Sequence, residues 1–371
     1  SPVRSAAVRT LSGLGFPSLK DKGKKLLHSK KADVRLAAVI LLQRSGGPEA
    51  LALLKERLDM EESEAVRDAI LLALDAAGGI TFSPQERAAR MAKTIAGAKG
   101  GPLASVDSAT LDPATLALTR RDGTRLSQEE VLYLLLRQSR CVEMRADIEA
   151  RPLLESLDSA VCAPAALRML EGFLASGQNT ADRWIIALSA LCGDDRLVPP
   201  LHKAILTWAE NARIKLAEYA TGALALLGTD SALTVLESLT VRFRSKCKNI
   251  GQAASDAFLA AAETRGISVE ELGDRVVPWL GFEPGVRKLI TAGAKTWEAW
   301  VGPDFKPVYR ETGASKKLTK LPAAAGAAIL EEQKILTANL KEAAKAQLLR
   351  METLLVRQFH WPAARWRELY L

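Results

Sequence analysis

The chain holds three histidines, His28, His202 and His360, and four cysteines, Cys141, Cys162, Cys192 and Cys247. With such side chains a protein binds zinc or attacks a carbonyl, and either chemistry needs them gathered. Here they stand far apart, with no HExxH, no CxxC and no GxSxG elbow. Nucleotide chemistry fares no better. "AGAKGG" (96–101) is glycine-rich but lacks the spacing of a phosphate-binding loop, and "SGLGF" (12–16) reads as a helix stop. Cys192, beside Gly193 in an apolar stretch, reads as a buried thiol. Asp194 and Asp195, just before Arg196, read as a capping turn. No catalytic residue, cofactor or metal is expected.

Two basic stretches offer a different chemistry. "LKDKGKKLLHSKK" carries Lys20, Lys22, Lys24, Lys25, Lys30 and Lys31, and "VRFRSKCKN" carries Arg242, Arg244, Lys246 and Lys248. Lined up on a helical surface, such cations bind phosphates by releasing counterions. Phe243 alone supplies little base stacking. A solvated helix face is the plainer reading of both stretches.

The elements that would carry these residues repeat. "PVRSAA", "DVRLAA" and "AVRDAI" place Arg4, Arg35 and Arg67 at spacings of 31 and 32 residues. In the second copy, Val34, Ala37, Ala38, Leu41 and Leu42 form one helical apolar face; Gly46-Gly47 ends that helix, and Pro48 starts another with its own leucine stripe. Two helices per period of about 31 residues predict an α-solenoid. The phrase resembles the opening of a HEAT-like repeat, whose Arg and acidic residues would link neighbouring units by side-chain hydrogen bonds. A looser pair follows, with Gly193 and Gly228 35 residues apart, as are Asp195 and Asp230.

Elsewhere the pattern changes. Ala96–Pro113 is rich in Gly, Ala, Ser and Pro and reads as a linker or long loop. Asp122-Gly123 signals a hairpin turn, and Ser127 with Glu130 a capping box. Two or three short strands are expected in Lys295–Leu318, and a long helix in Ala323–Phe359 with a solvated charged face. The expected division is 1–79 HEAT-like repeats, 80–126 linker and hairpin, 127–281 helical repeats, 282–322 β-rich insertion, and 323–371 a truncated C-terminal helical segment. The chain opens on a repeat and closes on "WRELYL" without polar caps, so a longer polypeptide is expected.

Composition agrees with a mostly all-α fold: 371 residues, 48% hydrophobic and only 5% aromatic. A net charge of +8 is mild for this length; it permits a nucleic-acid partner without requiring one. No run approaches about 18 uncharged apolar residues, so no membrane span is expected. Arg4 and Arg9 interrupt any signal-like start, and scattered cysteines suit a cytoplasmic location.

Further blocks carry a family resemblance. "RGISVEELGDRVVPWLGF" (265–282), "FKPVYRETGASKKLTKLP" (305–322), "LLRMETLLVRQFHWPAARWRELYL" (348–371) and "LTRRDGTRLSQEEVLYLLL" (118–136) resemble the MolR family. These are large bacterial proteins named after a proposed regulator of molybdate metabolism, often bearing a WGR module. After Phe282, "EPGVRKLITAGAKTW" departs from the family's more regular strand, and no WGR signature occurs. The resemblance implies a non-enzymatic scaffold or adaptor, with a MoxR-type AAA+ ATPase or a von Willebrand A protein as partner. It transfers no catalytic residue. The functional expectation is therefore a helical-repeat scaffold for protein–protein interaction; the alternative is DNA binding through the basic solenoid surface.

Overall fold

Apolar side chains return every three or four positions after Phe16, and Phe16, Leu19, Gly23 and Leu27 are buried. In the computed structural model, which describes residues 10–11, 16–98, 111–278, 280–282 and 287–370, this stretch is α1 (Phe16–Leu27). It is followed by α2 (Ala32–Ser45), α3 (Pro48–Met60) and α4 (Glu64–Gly78). The break between α2 and α3 lies where it was expected. Gly46 and Gly47 take φ of 70° and 94°, a region that glycine enters without penalty. Pro48 then fills the first turn of α3, where its missing N–H costs nothing.

Each helix packs on the next and on the next but one: α1 on α2 and α3, α2 on α3 and α4. That is how stacked hairpins share a core. Phe16, Leu27, Ala38, Leu42, Ala50, Leu54, Val66 and Ile70 form it. At Gly23 a Cβ would come within 2.9 Å of Leu42 Cδ2, so the bare glycine sets how near α1 and α2 approach. The first helix of the first copy, with Arg4, lies outside the described residues except for helical Thr10 and Leu11, and the second helix of that copy is α1.

Within 80–126, where a linker and hairpin were expected, Pro84–Gly97 form a helix, α5. Its start was legible: Ser83 and Glu86 make a capping box, with Pro84 in the first turn. Residues 99–110, most of the expected linker, lie outside the described residues. The Asp122-Gly123 turn does close a short hairpin, with Thr119 bridged to Arg125. Ser127 and Glu130 cap α6 (Gln128–Gln138) as read. A short α7 (Arg151–Ser156) follows. The described residues up to Val142, with Ala146–Leu157, make one compact unit; Glu143–Arg145 and the described residues from Asp158 onward make another.

The second unit repeats the hairpin theme with more apolar helices. They are α8 (Ser159–Ala175), α9 (Trp184–Cys192), α10 (Val198–Glu210), α11 (Ile214–Leu227), α12 (Asp230–Arg242) and α13 (Lys248–Thr264). One row runs α9, α11, α13, and α10 packs on α12 beside it. The two expected hairpins are α9–α10 and α11–α12. Alanine makes the seams close: Ala187, Ala217, Ala220, Ala223 and Ala254 are fully buried. A short α14 (Val269–Arg275) packs on α12 and α13.

A four-stranded antiparallel meander follows, β1 (Lys288–Ala292), β2 (Lys295–Val301), β3 (Pro307–Glu311) and β4 (Lys317–Leu318), in that order. Its first strand precedes the window in which strands were expected. The strand alternates strictly, with Lys288, Ile290 and Ala292 half-buried and Leu289 and Thr291 exposed, but the exposed Leu289 hides that alternation from a sequence reading. Trp297, Ala299 and Tyr309 turn inward with Leu321 and Ala325. The long expected helix is α15 (Ala327–Val356), packed on β3 and α12, and α16 (Ala363–Tyr370) closes the described chain. The fold is thus a mostly helical, HEAT-like solenoid with a small β insertion. No described helix is long and apolar enough to cross a membrane.

Candidate functional site

The lysines of the first unit lie on α1 and the connection to α2, and Lys20, Lys22, Lys24, Lys25, Lys30 and Lys31 are all exposed. They do not form a stripe. Lys20 and Lys22 project about 200° apart around the helix, with Lys24 and Lys25 spread between. Lys20 is drawn to Glu49 of α3 at 2.8 Å, which raises its pKa.

Arg242 ends α12, Arg244 and Lys246 lie in the turn that follows, and Lys248 opens α13; all four are exposed. This turn is tight. Cys247 takes φ of 56°, and a Cβ on Gly251 would come 2.7 Å from the Phe243 carbonyl oxygen. Phe243 is buried, so it offers no ring to a base. Burial lowers the pKa of His202 on α10, and the charge of Arg242 lowers it further. The lysines belong to the first unit and the arginine turn to the second.

Charge is most concentrated in a place that sequence reasoning missed. Arg137, fully buried on α6, holds Asp147 with Nε at 2.9 Å and Nη2 at 3.0 Å, Glu64 at 2.9 Å and Asp68 at 2.6 Å. Arg90 of α5 reaches Glu149 and Glu64, Arg67 of α4 donates to Glu149 at 2.8 Å, and Arg140 to Glu64 at 3.1 Å. Four guanidinium groups thus meet four carboxylates. Burial would raise the Glu64 carboxyl, yet Arg90, Arg140 and Arg137 outweigh it and hold it down to about 2. Glu149 is likewise held low, against burial, by Arg137, Arg90 and Arg67. A general acid or base working near neutrality needs a pKa near the ambient pH. Glu64 and Glu149 thus provide fixed, paired charges, whereas burial pushes the Asp68 carboxyl up in spite of Arg137. The only hint was a lone arginine after the apolar run "VLYLLL", with partners far away in sequence.

The repeat arginines do link units. Arg35 of α2 forms a bidentate pair with Glu61, just before α4, at 2.8 and 2.7 Å, and donates to the Ser29 and Lys30 carbonyls. Arg67, its counterpart on α4, joins the Leu58 carbonyl to Glu149. Arg35 clamps the loop before its own helix, and Arg67 the last turn of α3, to a carboxylate further along the chain. In the second unit, Thr229 donates to Asp195, while Arg265 donates to Asp230 at 2.9 Å and to the Gly228 carbonyl at 2.8 Å. Asp194, as expected, caps a short turn through the Arg196 N–H.

A further cluster ties α15 to the stack. Arg350 pairs with Asp274 of α14 and donates to the Glu270 carbonyl, and the Trp361 indole donates to Asp274 at 2.8 Å. Gln347 donates to Glu237 of α12 at 3.3 Å. Burial pushes the Glu237 carboxyl up to about 7, although Arg350 and Gln347 pull it down. Cys192 is buried, as expected, and burial with the neighbouring Cys162 pushes its thiol up. The four cysteines are unbridged. No group of three or more His, Cys, Asp or Glu among the described residues could hold a metal ion.

With this geometry in place, comparison with known proteins is informative at one end. Residues 1–75 match the family of HEAT repeats. The chain is also 26% identical over 202 residues to the uncharacterized protein YehI of Escherichia coli (strain K12). That match covers 53% of this chain and 16% of that relative, so the chain spans about a sixth of it. No solved structure matches.

Proposed function

We propose that this chain is a non-enzymatic helical-repeat scaffold that binds a protein partner along its stacked hairpins. HEAT repeats are commonly interaction modules, because stacking leaves one edge of every hairpin on an extended surface. The observation that carries the reading is the internal satisfaction of the charge clusters. The carboxylates around Arg137, Glu64, Asp68, Asp147 and Glu149, are all paired with it, and the pairs join helices. In the same reading the chain belongs to a larger, cytoplasmic MolR-like bacterial protein, with a MoxR-type AAA+ ATPase or a von Willebrand A protein as partner. The test is sedimentation of the purified chain with each of these proteins. A salt-resistant complex supports the reading, and absence of a complex with either removes those partners.

A second reading is favoured by the exposure of the ten basic residues. In it, Lys20, Lys22, Lys24, Lys25, Lys30 and Lys31, or Arg242, Arg244, Lys246 and Lys248, hold DNA phosphates. Binding would then weaken steeply with salt and be lost on reversal of Arg242 and Arg244 to Glu. Binding indifferent to that reversal would remove the arginine turn from this reading.

A further inference from the structure

The second unit carries a groove of about 650 Å³ that neither the repeats nor the charge clusters use. One wall is the β2–β3 turn, with Asp304, Phe305 and Lys306; the other is the α15 face bearing Lys341, Ala344, Lys345, Leu348 and Glu352. The turn is built to present an aromatic ring. Gly302 N–H donates to the Lys306 carbonyl at 2.8 Å, and Phe305 N–H to the Gly302 carbonyl at 3.0 Å. Phe305 is held at φ of 56°, a conformation that bulky side chains rarely adopt, and the residue is 48% exposed. A glycine or asparagine would fit this turn with less strain. Backbone strain that displays an apolar ring is the kind of outlier from which function is inferred.

The opposite wall is also apolar and open. Leu348 is 51% exposed, and Met351 and Leu355, three and seven residues further on, extend one exposed stripe along α15. Two cations flank the stripe before Leu348, and one carboxylate, Glu352, lies a turn beyond it. Lys341 and Lys345, one helical turn apart, have no ion pair among the described residues, and Lys306 is engaged at 3.0 Å by Asp304. An occupant must therefore offer apolar side chains at helical spacing to Phe305 and Leu348, and carboxylates to the two unpaired lysines.

We infer that this groove docks an acidic amphipathic helix of a partner protein. The inference deepens the scaffold reading by placing a contact outside the repeats. Affinity would come from burying the Phe305 and Leu348 side chains, and orientation from Lys341 and Lys345.

The test uses the 371-residue chain and a fluorescent peptide of about 18 residues, with Leu at i, i+3, i+4 and i+7 and Glu on the flanks. Controls are a scrambled peptide of equal composition and one with Lys in place of Glu. Anisotropy is expected to give binding roughly tenfold tighter for the acidic amphipathic peptide than for either control. Phe305→Gly should weaken it by a similar factor without loss of helical circular dichroism. The double reversal Lys341→Glu and Lys345→Glu should shift preference to the Lys peptide. Equal binding of scrambled and patterned peptides overturns the inference, as does indifference to both variants. Self-association abolished by Leu348→Asp, or capture by phosphatidylserine vesicles without peptide preference, assigns the face to a second copy or to a membrane and also overturns it. Should these fail while a partner still sediments with the chain, the scaffold reading stands and the groove alone is refuted.

Discussion

The two compact units stack hairpins in the same way and fasten them differently. In the first, charge lies at the seams: Arg35 with Glu61, Arg67 and Arg90 with Glu149, and Arg137 fully buried among four carboxylates. In the second, α9, α11 and α13 meet through buried alanines and leucines; Arg265 with Asp230 is a surface link, and the buried charges gather apart from that row, where Arg350 of α15 meets Asp274 and Glu237. Apolar packing is non-directional and tolerates small slips in register. A bidentate arginine pair demands one geometry. The first unit therefore has its register specified by pairs that are costly to break, and the α9–α11–α13 row of the second by the volume of small side chains.

The largest effect that would separate these regimes comes from Arg137→Met. It strands Asp147 and Asp68 without their buried partner, and a loss of about 3–5 kcal/mol is expected in urea unfolding of the first unit. A loss below about 1 kcal/mol would mean that water or relaxation replaces the guanidinium, and would erase the contrast. Next is Leu224→Ala on α11, fully buried in the second unit. It should cost about 2–4 kcal/mol through transfer and cavity terms, with the first unit's transition unmoved. Arg35→Met should cost roughly 1.5–3 kcal/mol, because Arg57 still holds Glu61 at 3.0 Å.

Acidity sharpens the comparison further. Glu64 is depressed from 4.5 to about 2, so its contribution is present above 4.5 and is lost as pH falls through that window. Glu237 is raised from 4.5 to about 7, so the folded state holds a proton that the unfolded state has released. Its contribution is therefore complete below 4.5 and declines as pH rises to about 7. Glu64→Gln should therefore remove a gain in the urea midpoint as pH rises from about 2 to 4.5, and Glu237→Gln a loss between 4.5 and about 7; a variant whose midpoint follows the parent in its window would contradict that assignment. The smallest effect is expected from Lys20→Ala, whose exposed pair with Glu49 should leave the midpoint unchanged within error.

Several features were legible because their causes are local. The repeat phrase gave helix, break and helix, since apolar spacing, Gly46-Gly47 and Pro48 act over a few residues. The Ser127 cap and the Asp122-Gly123 turn were legible for the same reason. α5 had equally local signals in Ser83, Pro84 and Glu86, but the Gly- and Ala-rich stretch behind it masked them. β1 falls inside the expected β-rich stretch 282–322 but before the window given for strands, because Leu289 on its exposed face blurs the polar–apolar alternation. The basic residues were found and are exposed, yet Lys20 to Lys25 fan around α1, which a count of lysines does not reveal.

The sequence by itself determined the hairpin period, the helical class and the scarcity of residues for metal or nucleophilic chemistry. These follow from backbone propensity, side-chain period and residue type, which act within a few turns of chain. Only the tertiary structure decided which charges meet. Arg137 finds Glu64 and Asp68 across 73 and 69 residues, and Phe305 faces Leu348 across a groove. A charge or ring shows its type in the sequence, but its energy depends on distance and on the water excluded around it, and packing alone sets both.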